Sequence, residues 1–274
     1  MMKLAFTTLG CLDWDIETIV SRAVEYGYDG VDFRGCRGQL NIWTMPEFAA
    51  DAARTAGRFA EAGLEVPCFS SGVVLCSTAD GAEAAIEAEM QAYLALCGTF
   101  GARFIRVFGG AIGEMGRAEA IDLAAARLKR LAPLAAERGV RILVETHDAW
   151  TTSEHLAALM QAADNDAVGV LWDIHHPYRQ PGEPPAKTWS LLGRWIAYTH
   201  WKDGTMEAGR RKLCLPGRGD LPLREFHDVL DRGGYRGYAA LEWERKWVPS
   251  LEPPEVAFPA FVACMRELDR SRMT

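Results

Sequence analysis

The seven cysteines form no C-x-x-C pair; they stand singly at Cys11, Cys36, Cys68, Cys76, Cys97, Cys214 and Cys264. An odd, scattered set argues against both a disulfide framework and a structural zinc site. The segment from Met1 to Gly10 lacks the apolar core and cleavage site of a secretory signal. No run approaches the ~18 apolar residues of a membrane span. The expected address is therefore the cytoplasm, with reduced thiols and no membrane partner. A surplus of positive charge is also missing, since 30 Lys and Arg stand against 37 Asp and Glu, a net charge of −7. Such a chain is a poor generic ligand for nucleic acid or an anionic bilayer, and no nucleic-acid partner is expected. What the chain does have is 274 residues of ordinary globular composition, 49% apolar and 24% charged. That suffices for one large α/β domain or two small ones.

Short β-rich runs alternate with longer Ala- and Leu-rich stretches. Eight strands are expected, at Lys3–Thr8, Gly30–Arg34, Leu64–Ser70, Arg103–Phe108, Val140–Thr146, Val168–Asp173, Ile196–Trp201 and Tyr238–Glu242. Helical patterns fall between most of them, at Ile16–Tyr26, Pro46–Ala62, Ala82–Cys97, Arg117–Glu137, Ser153–Ala163, Leu223–Arg232 and Pro254–Leu268. In the first, Ile16, Ile19, Val20 and Ala23 repeat at the helical period. Pro46 suits a first helical position and Ser153 an N-cap. Pro177–Pro185 and Gly204–Pro222 read as long loops rather than domain boundaries. Strand then helix, eight times over, implies parallel strands joined by right-handed crossovers. Eight such units in about 250 residues make a single-domain TIM (β/α)8 barrel, residues 1–274. A doubly wound open sheet is the alternative, but no G-x-G-x-x-G follows the first strand.

In such a barrel the active site lies at the C-terminal ends of the strands. The fifth to eighth strands finish on Glu145, Asp173, His200 and Glu242, each after an apolar run. Three carboxylates converging in one mouth would raise one another's pKa values and cost free energy unless paired or metal-bound. One divalent ion resolves this. Oxygen-rich donors with one imidazole suit Mn²⁺ first, with Mg²⁺, Co²⁺ or Zn²⁺ as alternatives. The bland alternative for any single strand-end acid is a salt-bridged structural group.

These residues resemble a known family, the xylose isomerase-like TIM barrels of the sugar phosphate isomerase/epimerase superfamily. The resemblance runs from Lys3 to about Leu268. It is carried by Val144-Glu145-Thr146-His147, Trp172-Asp173-Ile174-His175-His176, Thr199-His200-Trp201-Lys202-Asp203, Pro216-Gly217-Arg218-Gly219-Asp220 and Gly234 to Glu242. It implies that Glu145, Asp173, His200 and Glu242 hold one divalent metal, and that His176, in the D-x-x-H motif, contacts substrate. The family's arginine in the loop after the seventh strand has no match at the usual spacing, where Met206 stands; Arg210 or Lys202 is the expected replacement.

Several neighbours are candidates for the pocket. His147 and Glu244 lie two residues beyond Glu145 and Glu242, so each shares a strand face with a site residue or is simply solvated. Lys202 stands in the same relation to His200. Arg106 either holds a substrate hydroxyl or phosphate or pairs with a wall acid. Asp32 and Arg34 are read as a structural ion pair, Asp203 as a turn former before Gly204, and Gly109-Gly110 as a weak phosphate cradle. His175, adjoining His176, is expected to point elsewhere, and His155 and His227 to serve surface or packing roles. Of nine tryptophans, Trp14 is the best candidate for stacking on a sugar, the others being read mostly as packing.

The resemblance implies chemistry on a polyhydroxy carbonyl compound. A small-molecule carbohydrate is the expected substrate, and homo-oligomerisation stays open. Glu145 and Glu242 are the expected acid/base pair of an isomerase or epimerase working through an enediolate held at the metal. An inosose-dehydratase-like lyase on the same site is the alternative. An endonuclease IV-like nuclease fits poorly with six histidines and the acidic balance. A non-catalytic barrel fits poorly with the complete four-residue set.

Overall fold

The computed structural model describes residues 1–270. Eight parallel strands form one sheet: β1 (Lys3–Thr7), β2 (Gly30–Asp32), β3 (Cys68–Val74), β4 (Phe104–Phe108), β5 (Arg141–Glu145), β6 (Val168–Asp173), β7 (Ile196–Trp201) and β10 (Tyr238–Leu241). Their order is β2-β1-β10-β7-β6-β5-β4-β3, so each strand lies beside its neighbour in sequence and the last returns to the first. Single bridges from Gly30 to Glu65 and from Phe33 to Phe69 draw the two ends together into a barrel.

Helices α1 (Ile16–Tyr26), α2 (Ala52–Glu61), α3 (Ala82–Phe100), α4 (Arg117–Ala136), α5 (Ser153–Ala163), α6 (His175–Arg179), α7 (Pro185–Leu192), α8 (Leu223–Arg232) and α9 (Pro254–Arg270) accompany the strands. α1 shows how local sequence sets its limits. The Asp15 carboxylate accepts the Thr18 N–H at 2.8 Å, and Gly27 closes the helix in the left-handed region that its missing Cβ permits. No helix among the described residues is long and apolar enough to cross a membrane.

The packing divides into two layers. The larger core lies between strands and helices, and fully buried Trp150, Trp172, Trp201 and Trp243 belong to it. The barrel interior is a smaller cluster of Ala5, Cys68, Leu143, Leu171, Tyr198, Tyr238 and Ala240. Side chains two apart share a strand face, so the next inward residues after Leu143, Leu171, Tyr198 and Ala240 are Glu145, Asp173, His200 and Glu242. The charged layer thus sits directly on an apolar plug.

The structure moves several expected boundaries. β3 begins at Cys68 rather than Leu64, after Pro67, which has no N–H for a ladder, and it runs on to Val74. The Pro46–Ala62 stretch splits into a 3-10 turn at Pro46–Phe48 and α2. The Pro177–Pro185 loop is bracketed by two short helices, and Pro185 is the first residue of α7. Thr152, not Ser153, takes the N-cap position of α5; Ser153 instead donates its N–H and Oγ to the buried Glu183 carboxylate. The Gly204–Pro222 loop contains an antiparallel hairpin, β8 (Asp203–Glu207) and β9 (Arg210–Cys214). Ala208 and Gly209 turn it with positive φ angles of 49° and 74°, the two-residue geometry that favours hairpins.

Candidate metal centre and active site

Glu145, Asp173, His200 and Glu242 meet at the C-terminal mouth of the barrel, and all four are buried. Sheet register brings them there: Asp173 pairs with His200 across β6 and β7, and Ala240, two residues before Glu242, pairs with His200 across β10 and β7. Thr146 fastens β5 to β6 at this level. Its hydroxyl donates to the Asp173 carbonyl at 3.1 Å and accepts the Asp173 N–H at 2.9 Å.

His200 is the hub. Its Nδ1 lies 3.3 Å from Glu145 Oε1 and 3.4 Å from Glu242 Oε1, while Nε2 lies 3.1 Å from Asp32 Oδ2. Asp32 is fully buried and also accepts the Ser70 hydroxyl at 3.0 Å. A carboxylate on the far nitrogen of a ligating imidazole fixes its tautomer and strengthens it as a donor. Burial alone would lower the pKa of His200. Glu242, Asp32 and Glu145 outweigh it and hold the imidazolium well above its ordinary value.

One ligand atom from each of the four residues lies within 4.8 Å of every other. Donors on opposite sides of one ion, each roughly 2.0–2.5 Å away, have separations of that size. Glu145 Oε2 is buried without a hydrogen-bond partner. Burial, with Glu242 and Glu145 adding to it, pushes Asp173 up to about 6 against the pull of Lys202. Three crowded carboxylates, one imidazole and an orphaned oxygen fit a divalent cation.

Lys202 is fully buried beside this set. Its ammonium lies 2.8 Å from Asp173 Oδ2 and 2.6 Å from Glu244 Oε1, and it also bonds Glu242 Oε2. The three carboxylates occupy its three donors, so Lys202 braces these acids and has no N–H left for a further partner. It holds Glu242 well below the ordinary carboxylate value despite burial, with help from His200. Arg106 lies 3.3 Å from Glu145 Oε2 and donates to the Ser71 carbonyl at 2.8 Å. Against the upward push of burial, Arg106 keeps Glu145 below its ordinary value.

A cavity of about 250 Å³ opens over this layer, lined in part by Arg34, Arg106, His147, Arg211, Glu242 and Glu244. His147 has its ring 4.6 Å from His176 and 4.8 Å from Phe108, with Nδ1 2.9 Å from Asp148. Burial opposes its protonation, but Asp148 and Glu145 raise its pKa above the ordinary value. His176 is held by its N–H to Asp173 Oδ1 at 3.3 Å. Burial, with Lys202 close by, keeps its ring neutral. His175 is buried with neither ring nitrogen bonded.

Four expectations need correction. Arg210 is exposed, and Arg211 is the hairpin residue that reaches the site, 3.0 Å from Glu244 Oε2. The hairpin register sets Arg211 opposite Met206, so the return strand supplies the arginine that the first strand lacks. Trp14 packs edge-on against Phe258, 5.6 Å between centroids, between barrel and helices rather than in the cavity. Asp32 pairs with His200, not Arg34. Gly109-Gly110 cradles a ring instead of a phosphate: the Trp150 indole donates to the Gly110 carbonyl, and a Cβ on Gly109 would stand 2.2 Å from that ring. Asp203 organises the neighbouring loop as expected, accepting the N–H groups of Gly217 and Gly219 at 2.9 Å. A cavity of about 610 Å³ at the opposite end, near Trp189 and Gly234, holds none of the four converging residues.

Asp32 is a member of the site that no motif in the sequence marks. Its signal is positional, since an acid ends the second strand as acids end the fifth and sixth.

The sequence model of the xylose isomerase-like TIM barrels matches residues 20–268. The chain belongs to this family. Among curated relatives, a 3-dehydroshikimate dehydratase from Pseudomonas putida is 30% identical over 125 residues, which cover 42% of this chain and 19% of that protein. An inosose dehydratase from Geobacillus thermodenitrificans is 27% identical over 150 residues, 48% of this chain and 49% of that one. The chain thus spans half or less of the curated relatives it matches. Of solved structures, the Escherichia coli 3-keto-D-glucoside 4-epimerase YcjR superposes with a TM-score of 0.78 at 15% identity, covering 98% of this chain and 100% of that one. The IOLI protein, whose structure holds a zinc atom, gives 0.79 at 17% identity, covering 98% and 97%. The chain's fold is thus shared with an epimerase, and its curated relatives include dehydratases.

Proposed function

We propose that the protein is a divalent-metal-dependent isomerase or epimerase that moves a proton beside the carbonyl of a polyhydroxy compound. The observation that carries this reading is the convergence of Glu145 and Glu242 on one nitrogen of His200. They stand at the ends of β5 and β10, with β6 and β7 between them, and so can flank a substrate. Residues Glu145, Asp173, His200 and Glu242 would hold the ion, which would fix adjacent carbonyl and hydroxyl oxygens and acidify the C–H between them.

Each carboxylate has two oxygens, and Oε2 of Glu145, which accepts no hydrogen bond and is ion-paired with Arg106 at 3.3 Å, is the oxygen that takes the substrate proton. Taking it leaves an enediolate. Glu242, ionised at rest, takes a proton from solvent and delivers it on the other face or the neighbouring carbon, while Glu145 gives its proton up to solvent. Arg106 and Lys202 hold these two groups in place, and the apolar plug beneath keeps the floor dry.

A dehydratase is the second reading, favoured by His147. It lines the cavity with its protonated form stabilised, so it can hand a proton to a departing hydroxyl. The curated relatives that match bear dehydratase names. The test is turnover in deuterated water with a panel of ketohexoses, ketopentoses and inososes. An isomerase gives a product of unchanged composition carrying one solvent deuteron, and loses activity to chelator. A product lighter by one water moves the assignment to the lyase. Full activity in metal-free protein overturns both.

A further inference from the structure

Among the described residues, Arg34 stands at the mouth without a counter-ion. It follows Asp32 by two residues, its N–H donates to Thr8 Oγ1 at 3.0 Å, and its side chain lines the 250 Å³ cavity half-buried. Every acid near it is engaged elsewhere. Asp32 serves His200 and Ser70, Glu145 serves Arg106 and His200, and Glu242 and Glu244 serve Lys202, with Arg211 also on Glu244. Glu89, on α3, accepts the Gly72 N–H at 2.6 Å. No acid lies within ion-pairing distance of Arg34 among the described residues. Burial and the like charge of Arg106 both act against its protonated state. A partly desolvated guanidinium without a partner is costly, and a bound anion relieves that cost.

Arg34, Arg106 and Arg211 line the space beside the carboxylate cluster. A divalent ion in that cluster would offset most of its negative charge and leave the unpaired Arg34 as positive charge in excess.

We propose that the cavity takes a substrate bearing an anionic group, a carboxylate or a phosphoryl, bound in the fork of Arg34 while its carbonyl end faces Glu145 and Glu242. This rests on the function proposed above and narrows its substrate from neutral sugars to acidic polyhydroxy compounds. Arg34 is the specificity-determining residue of the pair formed with substrate. Its planar fork matches either anion in a way that an ammonium does not.

The experiment is calorimetric titration of the manganese-loaded protein with gluconate, inorganic phosphate and sorbitol, the last being the neutral counterpart of the first. At least one anion is expected to bind about 10-fold or more tighter than sorbitol, the gain of a charge-assisted hydrogen bond. Preference for gluconate marks a carboxylate substrate, and preference for phosphate marks a phosphoryl one. Arg34→Gln should erase the preference while manganese affinity stays within about twofold, and Arg34→Lys should retain part of it. Should the glutamine variant fail to fold, a reduced anion preference in the lysine variant with unchanged manganese affinity carries the test. Equal binding of all three probes, or a preference undiminished in Arg34→Gln or in Arg34→Lys, overturns the clamp. Failure of the wild type to take up manganese overturns the metal-dependent reading instead.

Discussion

Replacing Lys202 with methionine removes one cation from the midst of three buried carboxylates while keeping much of the volume. Lys202 is 1% exposed, and its ammonium contacts Asp173, Glu242 and Glu244. Removing one partner of a buried ion pair typically costs about 3–5 kcal/mol, because the remaining charge stays desolvated and unpaired. Metal-free Lys202→Met should therefore unfold with a Tm about 6–10 °C below wild type at pH 8, at about 2 °C per kcal/mol for a chain of this size. The sign of the pH dependence follows from the acids left behind. Without Lys202 their folded-state pKa values rise above the unfolded ones, so the deficit grows as pH rises through the folded values and shrinks as pH falls. Asp173 already stands at about 6 with the lysine present, so the deficit should fall markedly by pH 5. A divalent ion at saturating concentration should recover part of it by binding the folded state. Thermal denaturation at pH 5 and pH 8, with and without manganese, measures all of this. A deficit below about 1 kcal/mol at pH 8, or one that does not change with pH, would refute the bracing role assigned to Lys202.

Other outcomes follow from the same geometry. Asp32→Asn removes the carboxylate behind His200 Nε2, and competition with a chelating dye should show divalent affinity weakened by about 10–100-fold with secondary structure intact. Metal uptake must displace the proton that metal-free His200 retains, so zinc affinity should rise about tenfold per pH unit where that proton is present, with about one proton released in calorimetry. Gly109→Ala drives a Cβ against the Trp150 ring, and chemical denaturation should show a loss of about 1–3 kcal/mol.

The alternation of short strands and Ala-rich helices was enough to read the barrel, because each crossover is local and each strand buries both faces. Glu145, Asp173, His200 and Glu242 were legible for a related reason: each ends a buried apolar run, where an ionisable side chain needs an explanation. What escaped the sequence depends on which way a side chain leaves the backbone. Arg210 and Arg211 are adjacent, and only the hairpin, turned by Ala208 and Gly209, decides that Arg211 faces Glu244. Trp14 sits in a loop that α9 covers through Phe258, a contact between opposite ends of the chain. Asp32 and Arg34 share a strand face locally, yet His200 from a distant strand wins the carboxylate and leaves the arginine to the cavity. Lys202 has the spacing of a mouth residue, but the three acids around it draw it inward.

The central claim is that four strand-end residues hold one divalent ion. Equilibrium dialysis of metal-depleted protein against manganese or zinc, with the bound ion measured by atomic spectroscopy, tests it most directly. One ion per chain for wild type, and none retained under the same conditions by a folded His200→Ala variant, is the predicted result. No retained ion in wild type, about three ions per chain, or full retention in the variant would contradict it.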